Sequence, residues 1–307
     1  MTYDFPKSMT IKQAVISTLA YFDLFDVPLT REEIYENLFF LNPDQRKIDM
    51  YLKESPLIHI HDGYFSLKRN AAFYQHFEGK RRRSKEFWKK VKRWQWIFAI
   101  CPYVKMVGVV NSLPIRAVEQ NSDIDLLIIT EKEKMFTARF FTTLLTSLFL
   151  VRRHGKFIRK KFCLSFFTTE SNLDFSHIKK DGTDIYLAYW IKTLEPITGD
   201  YPIYEKFLKN NRDWLKPYFA HLFKRRRRFR RRKPWQVRIK GFLERRFCSP
   251  KWEIRMQNWQ MRRAMEKCSQ LEDQSGTIIK KNMLKFHDLD LRDQIKRDWF
   301  ARINEFM

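Results

Sequence analysis

Apolar positions recur at helical spacing over residues 11–25 (Ile11, Val15, Leu19, Phe22), which predicts an amphipathic first helix. Val27-Pro28 breaks that pattern. Thr30 followed by Glu33 makes a capping box for a second helix over 31–38, and Asn42-Pro43-Asp44 opens a third that runs to about residue 54. The period then shortens to two. Residues 57–61 and 64–67 read as strands around Asp62-Gly63, a strong signal for a tight hairpin turn. Three helices followed by a hairpin is the order of a winged helix, expected here over 1–68. The third helix mixes acidic and basic residues evenly and lacks the face of a base reader, so a packing or protein-contact role competes with DNA binding.

Residues 69–100 keep helical spacing and carry many Lys and Arg, predicting a long basic connecting helix within 69–103. Val104 to Val110 is apolar enough for a buried strand, and Leu126 to Ile129 forms a second. A helix over 135–153, a strand over 161–167 and a helix over 183–193 follow, with Glu195-Pro196 ending the last of these. The segment 104–200 therefore reads as a mixed sheet with flanking helices. Beyond it, helices are expected near 203–222, 235–247, 251–270 and 277–306, making 201–307 a basic helical region. The fold class is α+β, and no internal repeat is visible.

The chemistry concentrates between the two strands at 104–110 and 126–129. Asn111-Ser112 ends the first, and Ser122-Asp123-Ile124-Asp125 opens the second, ten residues beyond Ser112. Side chains alternate along a strand, so Asp123 and Asp125 point to one face. Paired carboxylates are hard oxygen donors suited to Mg²⁺, which usually bridges to substrate phosphates. The Asn111-Ser112 turn offers backbone N–H groups and a hydroxyl to those phosphates. A helix is expected after it, with Pro114 in its first turn and its positive end toward the anion. Asn is the residue after Gly that best tolerates a left-handed turn.

Strand, turn, spacing and the SDIDLLII string resemble the nucleotidyltransferase superfamily, the fold shared by DNA polymerase β, antibiotic nucleotidyltransferases and poly(A) polymerases. The order YFDLFDVPLT, SDIDLLIIT and LKFHDLDLR is also similar to bacterial proteins carrying a nucleotidyltransferase domain. The resemblance implies an Mg²⁺-dependent transferase, with Asp123 and Asp125 as catalytic metal ligands. It implies that Asn111, Ser112 and Arg116 contact the phosphates of a nucleoside triphosphate, ATP being the first candidate. The family usually has Gly where Asn111 stands. Catalytic members usually add a third carboxylate on a later strand, but residues 161–167 contain none and present Cys163 and Ser165 on one face. Glu170, Asp174 and Asp184 are the acids that could complete the site. An active transferase, and a non-catalytic adaptor that binds nucleic acid or a protein partner, therefore both remain open.

Charge narrows the partners. The chain of 307 residues has a formal net charge of +25, and the stretch 224–233, from Lys224 to Lys233, is basic at every position except Phe229. Like charges so close repel unless a polyanion or acidic surface neutralises them, which points to nucleic acid or an acidic protein. Basic clusters interleaved with Trp88, Trp94, Trp96 and Trp235 suit phosphate contact with base stacking; they equally suit helices with a buried apolar stripe and a solvated charged face. Hydrophobic content of 44% with 28 Phe excludes a disordered chain. The four Cys are widely spaced with no metal-ligand pattern, as expected of reduced thiols in a cytoplasmic protein. No leader or membrane-spanning stretch is expected from the sequence.

Overall fold

Helix α1 (Ile11–Asp23) starts where the Thr10 side chain accepts from the Gln13 N–H, and Gln13 reciprocates to the Thr10 N–H at 2.9 Å. Strand β1 (Leu29–Thr30) leads into α2 (Arg31–Asn37) through the expected Thr30–Glu33 capping box. Asp44 caps α3 (Gln45–Glu54). Strands β2 (His59–His61) and β3 (Tyr64–Ser66) form the hairpin, and β1 adds to β3 to give a three-stranded antiparallel sheet. Its turn has positive φ at both Asp62 (48°) and Gly63 (76°), the twist that a two-residue hairpin requires. The computed structural model describes residues 9–39, 44–67, 70–219, 222, 231–270, 273–286 and 290–307.

Helix α4 (Ala71–Ile100) is 30 residues long and spans about 45 Å. Its first half packs Phe77 into the N-terminal helices, and its second half places Phe87, Val91 and Phe98 on the main sheet. Buried Lys80 fastens the helix midway, donating to the Phe25 carbonyl at 2.8 Å and pairing with Glu119 at 2.6 Å.

The main sheet contains β4 (Val104–Val109), β5 (Ile124–Thr130), β6 (Phe162–Thr169), β7 (Glu195–Gly199), β8 (Thr277–Lys280) and β9 (Met283–Phe286) in the order β7-β4-β5-β6-β9-β8. Only β5 and β6 are parallel, joined across α5 (Met135–Leu148); every other pairing is antiparallel. Chain reversal at the end of β7 needs Gly199 (φ 132°), because a Cβ there would meet the Lys105 carbonyl oxygen.

The edges of this sheet depart from the sequence reading. Residues 277–286 form the β8–β9 hairpin instead of the start of a helix, and α10 (Arg292–Asn304) begins only beyond it. The region after 201 is thus not wholly helical. β-branched Thr277, Ile278 and Ile279 favour extended backbone, and β9 is held by pairing to β6, far away in sequence. Glu195-Pro196 follows the end of a helix, as expected, and also begins edge strand β7.

Side-chain alternation divides the interior. One face of the sheet (Met106, Leu127, Ile129, Phe166) shares a continuous core with the N-terminal helices, α6 (Ile185–Lys192), α7 (Tyr201–Leu215) and α10. Trp299 of α10 is fully buried and donates to the Ser17 carbonyl at 2.8 Å, tying the two ends of the chain together. The other face (Val107, Val109, Ile124, Leu126, Ile128) is covered by α4, α5, α8 (Pro234–Arg246) and α9 (Pro250–Cys268). No helix among the described residues is long and apolar enough to cross a membrane.

Candidate functional site

Asp125 lies near the start of β5 on the face that continues through Leu127 and Ile129 into the first core. Asp123, two residues earlier, shares that face. The parallel pairing of β5 with β6 sets Cys163 directly beside Asp125. Ligand atoms of Asp123, Asp125 and Cys163 all lie within 4.8 Å of one another, and among the described residues no other His, Cys or acid joins them.

Burial pushes the Asp125 carboxyl up to about 6, and the neighbouring charge of Asp123 adds to the shift. Hydrogen bonds from Asn111 and Cys163 oppose it. Asn111 Nδ2 donates to Asp125 Oδ2 at 2.8 Å, and the Tyr186 hydroxyl of α6 donates to Asn111 Oδ1 at 2.8 Å, which fixes the amide's orientation. Asn111 has φ 63°, the left-handed turn expected of it. Burial also pushes the Cys163 thiol up to about 12, with both aspartates contributing, so at neutral pH it stays a thiol. Arg153, just beyond α5, donates to Asp123 Oδ2 at 2.7 Å. A half-buried acidic pair with one guanidinium carries unbalanced negative charge and suits a cation. The carboxylates fit Mg²⁺, whereas a protonated, soft Cys163 does not.

The remaining expected residues are distributed less simply. Ser112 is half-buried in the turn and its hydroxyl makes no hydrogen bond among the described residues. Arg116 is engaged elsewhere: it bonds Glu33 of α2 at 2.6 Å and lies over the Phe77 ring. The expected helix after Ser112 is absent. Residues 111–116 form consecutive turns, interrupted by positive φ at Asn111 and Arg116, so no helix N-terminus faces the carboxylates. None of the three candidate acids reaches the pair. Glu170 follows the far end of β6, where its N–H bonds the Thr130 carbonyl, about 16 Å along the strands. Asp174 accepts from the Ser176 N–H. Asp184 caps α6 and pairs with Arg292 at 2.9 Å.

Arg153 and Tyr186 carry no motif signal and come to the site only through packing. Tyr186 also connects it to a second charged group. Burial raises its phenol, followed by the charges of Asp125 and Asp290. Arg292 holds Asp290 at about 2 against the effect of burial, and Lys285 of β9 is lowered by burial to about 8. Comparisons of the chain with protein-family models, curated proteins and solved structures returned no match.

Proposed function

We propose that the chain is an Mg²⁺-dependent nucleotidyltransferase with an N-terminal winged helix and a nucleotidyltransferase-fold sheet. Its substrate is a nucleoside triphosphate, ATP first, and its acceptor is a hydroxyl on a nucleic acid, protein or small polar molecule. The observation that carries this reading is the half-buried Asp123–Asp125 pair, set beside a left-handed Asn111-Ser112 turn at the end of an adjacent strand. Bound Mg²⁺ would neutralise the triphosphate and the developing charge on the leaving pyrophosphate.

The protein's own residues then have limited tasks. Asp123 and Asp125 hold the cation, which requires Arg153 to release Asp123. Asn111 holds Asp125 in place, and the turn bearing Ser112 meets the phosphates. The acceptor oxygen bonds the α-phosphorus while the bond to the β-phosphate oxygen breaks, and pyrophosphate leaves. The acceptor proton passes to water or substrate, since no third carboxylate stands beside the pair among the described residues. A missing base forgoes roughly 10²–10⁴ in rate, so turnover should be slow.

Cys163 in the position beside Asp125 favours a second reading: an adaptor that binds nucleotide without transfer and meets nucleic acid or an acidic protein through its basic surface. The basic stretch 224–233 belongs to that reading, though residues 223–230 lie outside the described residues. Cytoplasmic placement suits both readings.

Titration calorimetry with the four ribonucleoside triphosphates and Mg²⁺, on wild type and Asp123→Ala/Asp125→Ala, tests the site. Equal binding by both proteins sinks it. Release of pyrophosphate from labelled nucleotide then separates the readings, with Cys163→Asp expected to accelerate a transferase and leave an adaptor silent.

A further inference from the structure

Helix α8 is turned against the usual burial pattern. Its buried positions are polar, with Gln236 7% and Lys240 9% exposed, while Phe242 is 61% and Val237 54% exposed. Helix α9 does so in part, burying Met256 and Ala264 beside two polar residues. Glu253 and Gln260 are buried, bonding Phe136 and Thr137 N–H groups and the Phe136 carbonyl of α5, and Ile254, Trp259 and Met265 face outward. On α5 a stripe of Phe140, Leu144 and Leu148 lies at four-residue spacing and ends in Phe149 and Leu150; Leu148 is 69% and Leu150 70% exposed.

These side chains form one belt. Trp259 meets Phe140 at 6.5 Å, the α5 stripe leads to Phe149, Phe149 meets Trp96 at 5.3 Å, and Trp96 meets Trp235 at 6.3 Å. Exposed arginines flank it, among them Arg238, Arg245 and Arg246 on α8 and Arg255, Arg262 and Arg263 on α9. Where α4, α8 and β7 meet, a cavity of about 360 Å³ opens between Trp96 and Trp235. Four cations line it (Lys92, Arg93, Arg231, Lys233) and no acid does. None of the four makes an ion pair among the described residues.

We propose that this outer helical face docks on an anionic lipid bilayer, its apolar belt entering the headgroup region and its basic cavity receiving a lipid phosphate. The chemistry selects this occupant over others. Single-stranded nucleic acid would use the tryptophans and arginines but gives Leu144, Leu148, Leu150 and Ile254 nothing to bury against. A second copy of a chain with net charge +25 would bring like charge to like. An anionic membrane satisfies both the aliphatic belt and its basic border, with the helices lying in the interface plane. The face lies across the sheet from Asp123 and Asp125, so this inference stands independently of the nucleotide reading.

Flotation of the full chain tests the proposal, using vesicles of phosphatidylcholine alone or mixed equally with phosphatidylglycerol, at about 0.1 M salt. Wild type should float with the anionic vesicles only, with a blue shift of Trp fluorescence. Leu148→Glu/Leu150→Glu and Lys92→Gln/Arg93→Gln should each weaken binding about tenfold or more. Thermal unfolding of these variants verifies that they fold. Equal binding to neutral vesicles, no flotation at all, or unchanged binding by the leucine variant would overturn the proposal. So would capture of single-stranded RNA without flotation, or a concentration-dependent dimer abolished by the leucine variant.

Discussion

The two faces of the main sheet are built from the same apolar strands and finished in opposite ways. On the first face, α1, α6, α7 and α10 close over the sheet with aromatic residues, and Asp123 and Asp125 stand at one end of it. On the second face, α4, α5, α8 and α9 cover the strands but keep a large share of their own apolar residues outside. The first face puts its polarity inside, at a site. The second puts polar anchors inside and leaves hydrophobic surface for something else. What holds the first face shut is thus distinct from what the second displays.

Breaking the closure of the first face should have the largest effect. Trp299→Ala removes a fully buried ring and its bond to Ser17, and should cost about 3–5 kcal/mol in urea unfolding. The second face has its own anchor, and it is polar. Glu253→Ala strands the buried Phe136 and Thr137 N–H groups, at a cost of about 2–3 kcal/mol by the same assay. If it proves neutral, α9 is not held on α5 as described.

The site should behave in the reverse sense. Asp125 is raised from 3.8 to about 6 on folding, so the folded state favours its protonated form. This penalty is absent below about pH 4, grows as pH rises, and is complete above about pH 6. Asp125→Asn, which mimics the neutral acid, should therefore stabilise the protein by up to about 3 kcal/mol at neutral pH while abolishing cation binding. At pH 3–4 the variant and wild type should unfold alike. A stability difference that persists there would remove the electrostatic explanation. The smallest effect belongs to the exposed belt: Leu150→Ser or Phe242→Ser should change folding stability by no more than about 0.5 kcal/mol. A loss of several times that would mean the belt is part of the fold.

Much of the N-terminal module was legible because its signals are local. The Thr30–Glu33 box, the Asp44 cap and the Asp62-Gly63 turn each act within a few residues, and the structure contains all of them. Asn111 could be expected in a left-handed conformation because the turn chemistry demands it. The turn after Ser112 went the other way: Pro114 suited a helix start, but the reversals at Asn111 and Arg116 leave no run long enough to nucleate one. The hairpin at 277–286 was missed because its strands are four residues each and its partner β6 is more than a hundred residues away. For α8, the apolar spacing was visible and its direction was not. Periodicity reports that one stripe is apolar, without saying which stripe meets the sheet.

By itself, then, the sequence determined which segments are helix or strand wherever capping, turns and alternation agree, and that Asp123 and Asp125 share a face. Only the tertiary structure decided that Cys163 stands beside Asp125, that Arg153 closes on Asp123, and that Glu170 ends about 16 Å away along the strands. Local signals act over one helical turn or one pleat, where backbone geometry leaves few choices. Which residue completes a site depends on the register between strands nearly forty residues apart, and that register is set by packing of the whole sheet.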